Sequence, residues 1–256
     1  AMYRGSTKEH SDPLMRTYLE DLIYRLSETS EVRDRRFEFI ILEDKTINAF
    51  AAPGGIIGIN LGMFLNTERE GELASVMCHE LAHLSQRHFA RSQNRNSPLA
   101  NALMILGSIA VAAASRNPEA ILIAPAAMQQ MSINYTRSNE KEADRIGFNN
   151  LVKAGFDPND MTMMFQRMQD KYQNEDSEQF SYLMTHPLPS ERLTDMRIRA
   201  DGLKNNSKNS FRDNLDFYLM QKRAQVWAEK DIKELVKRFK KNLKSQNKNT
   251  EVSSKY

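Results

Sequence analysis

Two histidines four positions apart, His79 and His83, bracket the run His79-Glu80-Leu81-Ala82-His83. On a helix that spacing turns the second imidazole only ~40° from the first, so both rings can face one metal ion. The arrangement suits a zinc hydrolase. Two imidazoles hold the ion, a third protein ligand completes the anchor, and water takes the open position with its pKa lowered toward ~7. Glu80 stands beside them as the general base that accepts the water's proton and passes it to the leaving amine. A chance His-Glu-x-x-His has a frequency on the order of 1% in a chain of this length. The competing reading, an exposed polar stripe, fits poorly with the flanking Met77, Leu81 and Ala82, which mark a buried helix where unpartnered imidazoles would be costly.

A third ligand must come from elsewhere, and Asn139-Glu-Lys-Glu-Ala-Asp144 offers three carboxylates on a second helical stretch. Glu140 and Asp144 share a face with Ala143, whose small side chain allows close approach of two helices, while Glu142 points roughly 160° away. Either Glu140 or Asp144 is therefore the ligand and Glu142 is not. The remaining carboxylate of that face would steady a ligand imidazole through its other ring nitrogen. His186, placed before Pro187 in a turn-rich run, reads from sequence alone as a loop residue. His88 lies five residues past His83, an offset of about 140° on a continuous helix, and reads as an ordinary helix-end residue. Cys78 reads as a small buried apolar residue.

The elements that must carry these groups follow from periodicity. Leu14, Tyr18, Leu19, Leu22, Ile23 and Leu26 recur at three- and four-residue steps, predicting an amphipathic helix over Pro13 to Ser27. Three short strands follow at Phe37 to Leu42, Asn48 to Ala52 and Ile56 to Ile59, turning at Pro53-Gly54-Gly55 and expected to form a small antiparallel meander. Thr67 with Glu70 three residues on has a capping-box pattern, opening a metal-bearing helix from about Glu68 to Ser92. Pro98 to Ser115 is apolar and small, near the lower limit for a membrane span, and is read as a buried or lid-like helix because Ala and Gly are weakly hydrophobic. Further helices are expected over Ser132 to Ala154, stopped by Gly155, then over Asp160 to Tyr172 and Ser190 to about Ala200. The Asn/Lys/Ser run 204–210 is the linker to C-terminal helices in 211–256.

Composition limits the function classes. With 256 residues, 40% of them hydrophobic and 27% charged, the chain is a helix-leaning globular protein rather than a disordered or multi-span one. The single cysteine forbids an internal disulfide. Net charge is only +3, and the excess of nine Lys and Arg over four Asp and Glu in residues 224–256 reads as a solvated helix face, so no nucleic-acid partner is expected. Peripheral contact with a membrane, through the apolar run 98–131 and the basic tail, is retained as a candidate partner interaction.

Four ordered motifs carry a resemblance: His79-Glu-x-x-His83, Glu140-x-x-Ala-Asp144, Thr185-His-Pro with Arg192, and the preceding Asn48-Ala-Phe-Ala-x-Pro-Gly-Gly55. Over about Asp12 to Ala200 the chain resembles the gluzincin peptidases of the HtpX and CAAX prenyl protease family, closest to its soluble periplasmic BepA-like (YfgC-like) branch. The resemblance implies one zinc ion per chain on His79, His83 and Glu140, with Asp144 behind a ligand imidazole. It brings His186 to the active site, either donating to the oxyanion or closing the zinc's open position in a latched resting state. Arg192 either stabilises the oxyanion or pins its loop to acidic neighbours. Asn48, Ala49, Phe50 and Ala51 match an edge strand along which a peptide substrate lies extended.

The implied fold is α+β, mainly α: a zincin domain over 1–203 with a small antiparallel sheet, followed by C-terminal helices that begin a truncated helical repeat. The implied function is a periplasmic zinc endopeptidase, its signal peptide removed, acting on misfolded or stalled envelope proteins beside the outer-membrane protein assembly machinery. The alternatives are a latched assembly factor or chaperone that cleaves little, and a membrane-associated location.

Overall fold

A computed structural model of the chain describes residues 8–95, 120–174, 181–203, 214–229, 231 and 233–241. Helix α1 (Pro13–Glu28) starts where Asp12 accepts hydrogen bonds from the Leu14 and Met15 amides, with proline in the first turn. Tyr18, Leu19, Leu22, Ile23 and Leu26 are buried in the main core, as the periodicity requires, but Leu14, read as part of that stripe, is exposed and Met15 takes the buried place beside it.

Strands β1 (Glu38–Leu42), β2 (Ala49–Ala52) and β3 (Ile56–Asn60) form a sheet of order β1-β3-β2. The expected antiparallel meander is corrected here. β2 and β3 are an antiparallel hairpin through Gly54 and Gly55, both at positive φ, but β1 pairs with β3 in parallel, Glu38 opposite Ile56. The reason lies in burial and reach. β3 is the strand whose residues are buried almost throughout, so it takes the centre, and the 13 residues between β1 and β3 suffice for a crossover that carries β2 to the far edge. The outer edge of β2 pairs with no strand among the described residues.

A short helix not read from the sequence, α2 (Leu61–Asn66), follows β3 directly, with Leu61, Gly62, Met63 and Phe64 buried. Thr67 does not cap the next helix: its hydroxyl donates to the Met63 carbonyl, ending α2 instead. Helix α3 (Glu70–Ser85) is shorter than expected because Arg87 adopts a left-handed φ of 53°, which breaks the axis before α4 (His88–Arg95).

Helix α5 (Ala120–Lys153) starts earlier than the expected Ser132 and ends as foreseen. There Gly155 at φ 86° lets the Phe156 amide reach Leu151 O and its own amide reach Val152 O, the Schellman pattern. Helices α6 (Asn159–Asn174), α7 (Ser181–Thr185), α8 (Ser190–Leu203) and α9 (Leu215–Ala228) complete the labelled elements.

α3 lies at the centre, packed against α5, α6, β2 and α1. At Gly147 of α5 the two helices come close: an added Cβ would stand 3.0 Å from the His79 amide nitrogen and 3.1 Å from Cys78 O. α9 buries Phe217, Met220 and Ala224 in the same core and packs on α1 and α2. Among the described residues no helix is long and apolar enough to cross a membrane. The segment Pro98 to Ser115 and the linker 204–210 fall outside the described residues, as do parts of the C-terminal region.

Candidate metal centre

The middle of α3 is buried throughout, and its His79, Glu80 and His83 face α5 and β2. His79 Nε2 and His83 Nε2 stand 2.9 Å apart, and each is 3.3 Å from an oxygen of Glu140 on α5. His186, at the end of α7, brings Nδ1 to 3.1 Å and 3.2 Å from the two Glu140 oxygens, with its ring stacked on Tyr182 at 4.6 Å. One donor atom from each of His79, His83, Glu140 and His186 lies within 4.8 Å of every other. Two helices and one turn thus converge on a single point.

The surrounding groups determine which atoms are free. Asp144, one turn along α5 from Glu140, places Oδ1 3.0 Å from His79 Nδ1. Arg192 of α8, 3% exposed, closes the cluster: Nε and Nη2 grip the two oxygens of Asp144 at 2.6 Å and 2.7 Å, and Nη1 lies 2.9 Å from Glu140 Oε2. Nη1 also donates to Pro187 O at 2.5 Å, which ties the turn carrying His186 to the helix carrying Glu140. Of the two roles set out for Arg192, pinning is the one this geometry serves.

Electrostatics agree with a cation-binding cavity. Burial opposes a charge on His79, yet Asp144 and Glu140 outweigh it and raise its pKa to about 9. Burial likewise opposes the Glu140 carboxylate, but hydrogen bonds from His186 and His79 hold its pKa far below the usual carboxylate range. Asp144 is lowered too, against burial, by His79 and Arg192. For His83 desolvation prevails and its pKa falls. Carboxylates thus surround the His79 imidazole, and two imidazoles with one carboxylate form a donor set suited to zinc.

Glu80 is set apart from the carboxylate that faces both α3 imidazoles. Its Oε2 accepts from the Ala51 amide of β2 at 3.3 Å. Its Oε1 is buried with no hydrogen-bond partner among the protein atoms, and the nearest basic group is His186 Nε2 at 3.6 Å. A buried acceptor without a donor is unstable unless a proton or water comes to it, and here it adjoins the converging donor group. The donor set and this orphaned oxygen together fit a zinc ion with a base beside it.

A groove of about 1270 Å³ opens over the cluster, with Ala49, Phe50 and Ala51 of β2 along one wall and Glu80, His83 and His186 at its base. Asn48 precedes the strand, and its carbonyl accepts from the Asn60 amide. Alternation along the antiparallel pair then turns the main-chain groups of Ala49 and Ala51 to the open edge.

His88 stands differently from the sequence reading. His88 is buried, with Nδ1 2.8 Å from His83 Nδ1 and Nε2 3.0 Å from Glu142 Oε2, because the break at Arg87 cancels the rotation that a continuous helix would impose. No glycine or proline marks that break in the sequence. Glu142 lies outside the four-residue donor group, as its angular position implied, but is occupied by His88 and Arg91. Cys78 is fully buried, with its thiol pKa pushed up by desolvation.

A helix bearing His-Glu-x-x-His, crossed by one bearing Glu-x-x-x-Asp and flanked by an open sheet edge, is the architecture of a metallopeptidase. The family model of peptidase family M48 matches residues 13–200, and the chain belongs to that family. The chain is similar to the beta-barrel assembly-enhancing protease of Escherichia coli K12, 38% identical over 230 residues that make up 86% of this chain and 45% of that protein. Its Vibrio cholerae counterpart is 45% identical over 204 residues, 78% of this chain and 42% of that one. The mitochondrial metalloendopeptidase OMA1 of Schizosaccharomyces pombe is 27% identical over 197 residues, 75% of this chain and 56% of that protein. The chain therefore spans less than half the length of the beta-barrel assembly-enhancing proteases it matches.

Proposed function

We propose that this chain is the catalytic domain of a zinc endopeptidase, with His79, His83 and Glu140 as the ligands of one zinc ion and Glu80 as the general base. The observation that carries the reading is the orphaned Glu80 Oε1 beside donor atoms that converge within 4.8 Å. A zinc ion held there supplies Lewis acidity, lowering the pKa of water toward ~7 and polarising a peptide carbonyl. Every other part is played by the chain. Glu80 takes a proton at Oε1 and returns it to the leaving amine, while Ala51 N–H orients the carboxylate through Oε2.

Asp144 fixes the His79 ring, and Arg192 holds Asp144, Glu140 and the His186 turn in one frame. The outer edge of β2 receives an extended peptide through the main-chain groups of Ala49 and the Ala51 carbonyl, the Ala51 amide being held by Glu80, with Asn48 and Phe50 at its flanks. His186 in the donor group supports a resting state in which its imidazole occupies the position a substrate or water needs. The same observation favours a second reading, a latched assembly factor that holds clients in the groove and rarely cleaves them.

Similarity to beta-barrel assembly-enhancing proteases supports substrates among outer-membrane proteins, a periplasmic location and work beside the assembly machinery. Casein digestion by wild type, Glu80→Gln and His186→Ala tests the reading. Cleavage that vanishes in Glu80→Gln and rises in His186→Ala is expected. Zinc binding without cleavage in any of the three would replace the peptidase by the assembly factor.

A further inference from the structure

The two α3 imidazoles are held from behind in different ways. His79 meets a carboxylate directly, Asp144 at 3.0 Å. His83 meets another imidazole, His88 Nδ1 at 2.8 Å from its own Nδ1, and that imidazole meets Glu142 Oε2 at 3.0 Å. The polarity of this chain of contacts follows from one end. An ionised carboxylate only accepts, and Arg91 Nη1, 3.2 Å from the same Glu142 oxygen, favours the ionised form. His88 Nε2 is then the donor, which in a neutral imidazole leaves Nδ1 as acceptor. His83 Nδ1 must supply the proton between the two rings. Its Nε2 is left with a lone pair, directed at His79 Nε2 and Glu140.

Resting on the metal reading of the site, we infer that Glu142 and His88 form a relay of fixed hydrogen-bond polarity that selects the Nδ1–H tautomer of His83 and aims its Nε2 lone pair at the metal position. His88 and Glu142 are positioning residues, since neither joins the donor group itself. The left-handed turn at Arg87 is the backbone feature that makes the relay: it lies two residues past the end of α3 at Ser85 and starts α4 with His88 facing back toward His83. The opposite polarity would place the His83 proton on Nε2, between the two imidazoles where a cation must sit.

The test combines two readouts on wild type, His88→Ala and Glu142→Ala. Zinc affinity is measured by competition with a chromophoric chelator, and the His83 tautomer by long-range proton–nitrogen-15 correlation spectra of the metal-free proteins. Wild type is expected to show Nδ1–H on His83. Both variants are expected to lose that preference and to bind zinc about 10–100-fold more weakly. Unchanged affinity overturns the inference, and so does weaker binding with an unchanged His83 tautomer, which is what a merely structural role would give. Should His88→Ala fail to fold, Glu142→Ala interrogates the relay from its partly exposed end. Should wild type bind no zinc, the metal reading fails while the tautomer spectra still decide the relay.

Discussion

Replacing Arg192 by Met separates the two roles that its sequence position allowed. The guanidinium is 3% exposed and serves Asp144 Oδ1, Asp144 Oδ2, Glu140 Oε2 and Pro187 O. Methionine fills similar volume but leaves two carboxylates buried, Glu140 and Asp144 being 3% and 1% exposed, with only imidazoles to answer them. Removing one partner of a buried ion pair costs about 3–5 kcal/mol. At roughly 2–4 °C per kcal/mol for a chain of this size, the melting temperature should fall by about 6–20 °C. The assay is thermal and urea unfolding of the metal-free protein, so that loss of zinc does not contribute. Arg192→Lys keeps the charge without the fork and should fall between wild type and Met. A melting temperature within about 2 °C of wild type for Arg192→Met, accompanied by lost cleavage, would refute the pinning argument and return Arg192 to the oxyanion.

Further outcomes are expected from other parts of the molecule. Gly147→Val should push α5 away from the His79 backbone, where even a Cβ would lie at 3.0 Å, and lower zinc affinity in a chelator titration together with the melting temperature. Glu80→Gln should abolish cleavage while retaining zinc, because Glu80 is the base in this account and not a ligand. Asp160 supplies a pH dependence away from the metal: burial raises its pKa to about 7 from 3.8, against the opposing effect of Arg69. A carboxyl whose folded pKa is raised binds more protons in the native state, so its stabilising contribution is present below about pH 4 and is lost as the pH rises through about 7. Asp160→Asn should flatten the stability profile over that window in urea titrations; a profile of unchanged slope would count against it.

How much of this was legible in the sequence depended on whether a feature is local. The His79 and His83 spacing is a property of one helix and needs no partner to be read. The shared face of Glu140, Ala143 and Asp144 was equally readable, and Ala143 is fully buried beside α3 as its size suggested. That these two helices cross at one point is a tertiary fact, to which the need for a third ligand, the small Ala143 and the family resemblance point. Sheet pairing was misread because three short apolar strands carry no signal of partner or direction, and the most buried strand took the centre. Thr67 and Glu70 had the spacing of a cap, yet the threonine hydroxyl was claimed by the preceding helix, whose six residues are too few to show a period. The place of His88 has a backbone reason: Arg87 at positive φ breaks the helix before it, and an arginine there has no signature in residue type.

The central claim is most directly tested by the zinc content of the purified protein, measured by elemental analysis after dialysis for wild type and Glu140→Gln. About one zinc per chain in wild type, lost in Glu140→Gln, is the result this account expects. A wild-type chain without zinc, or one whose zinc survives the loss of the Glu140 carboxylate, would contradict it.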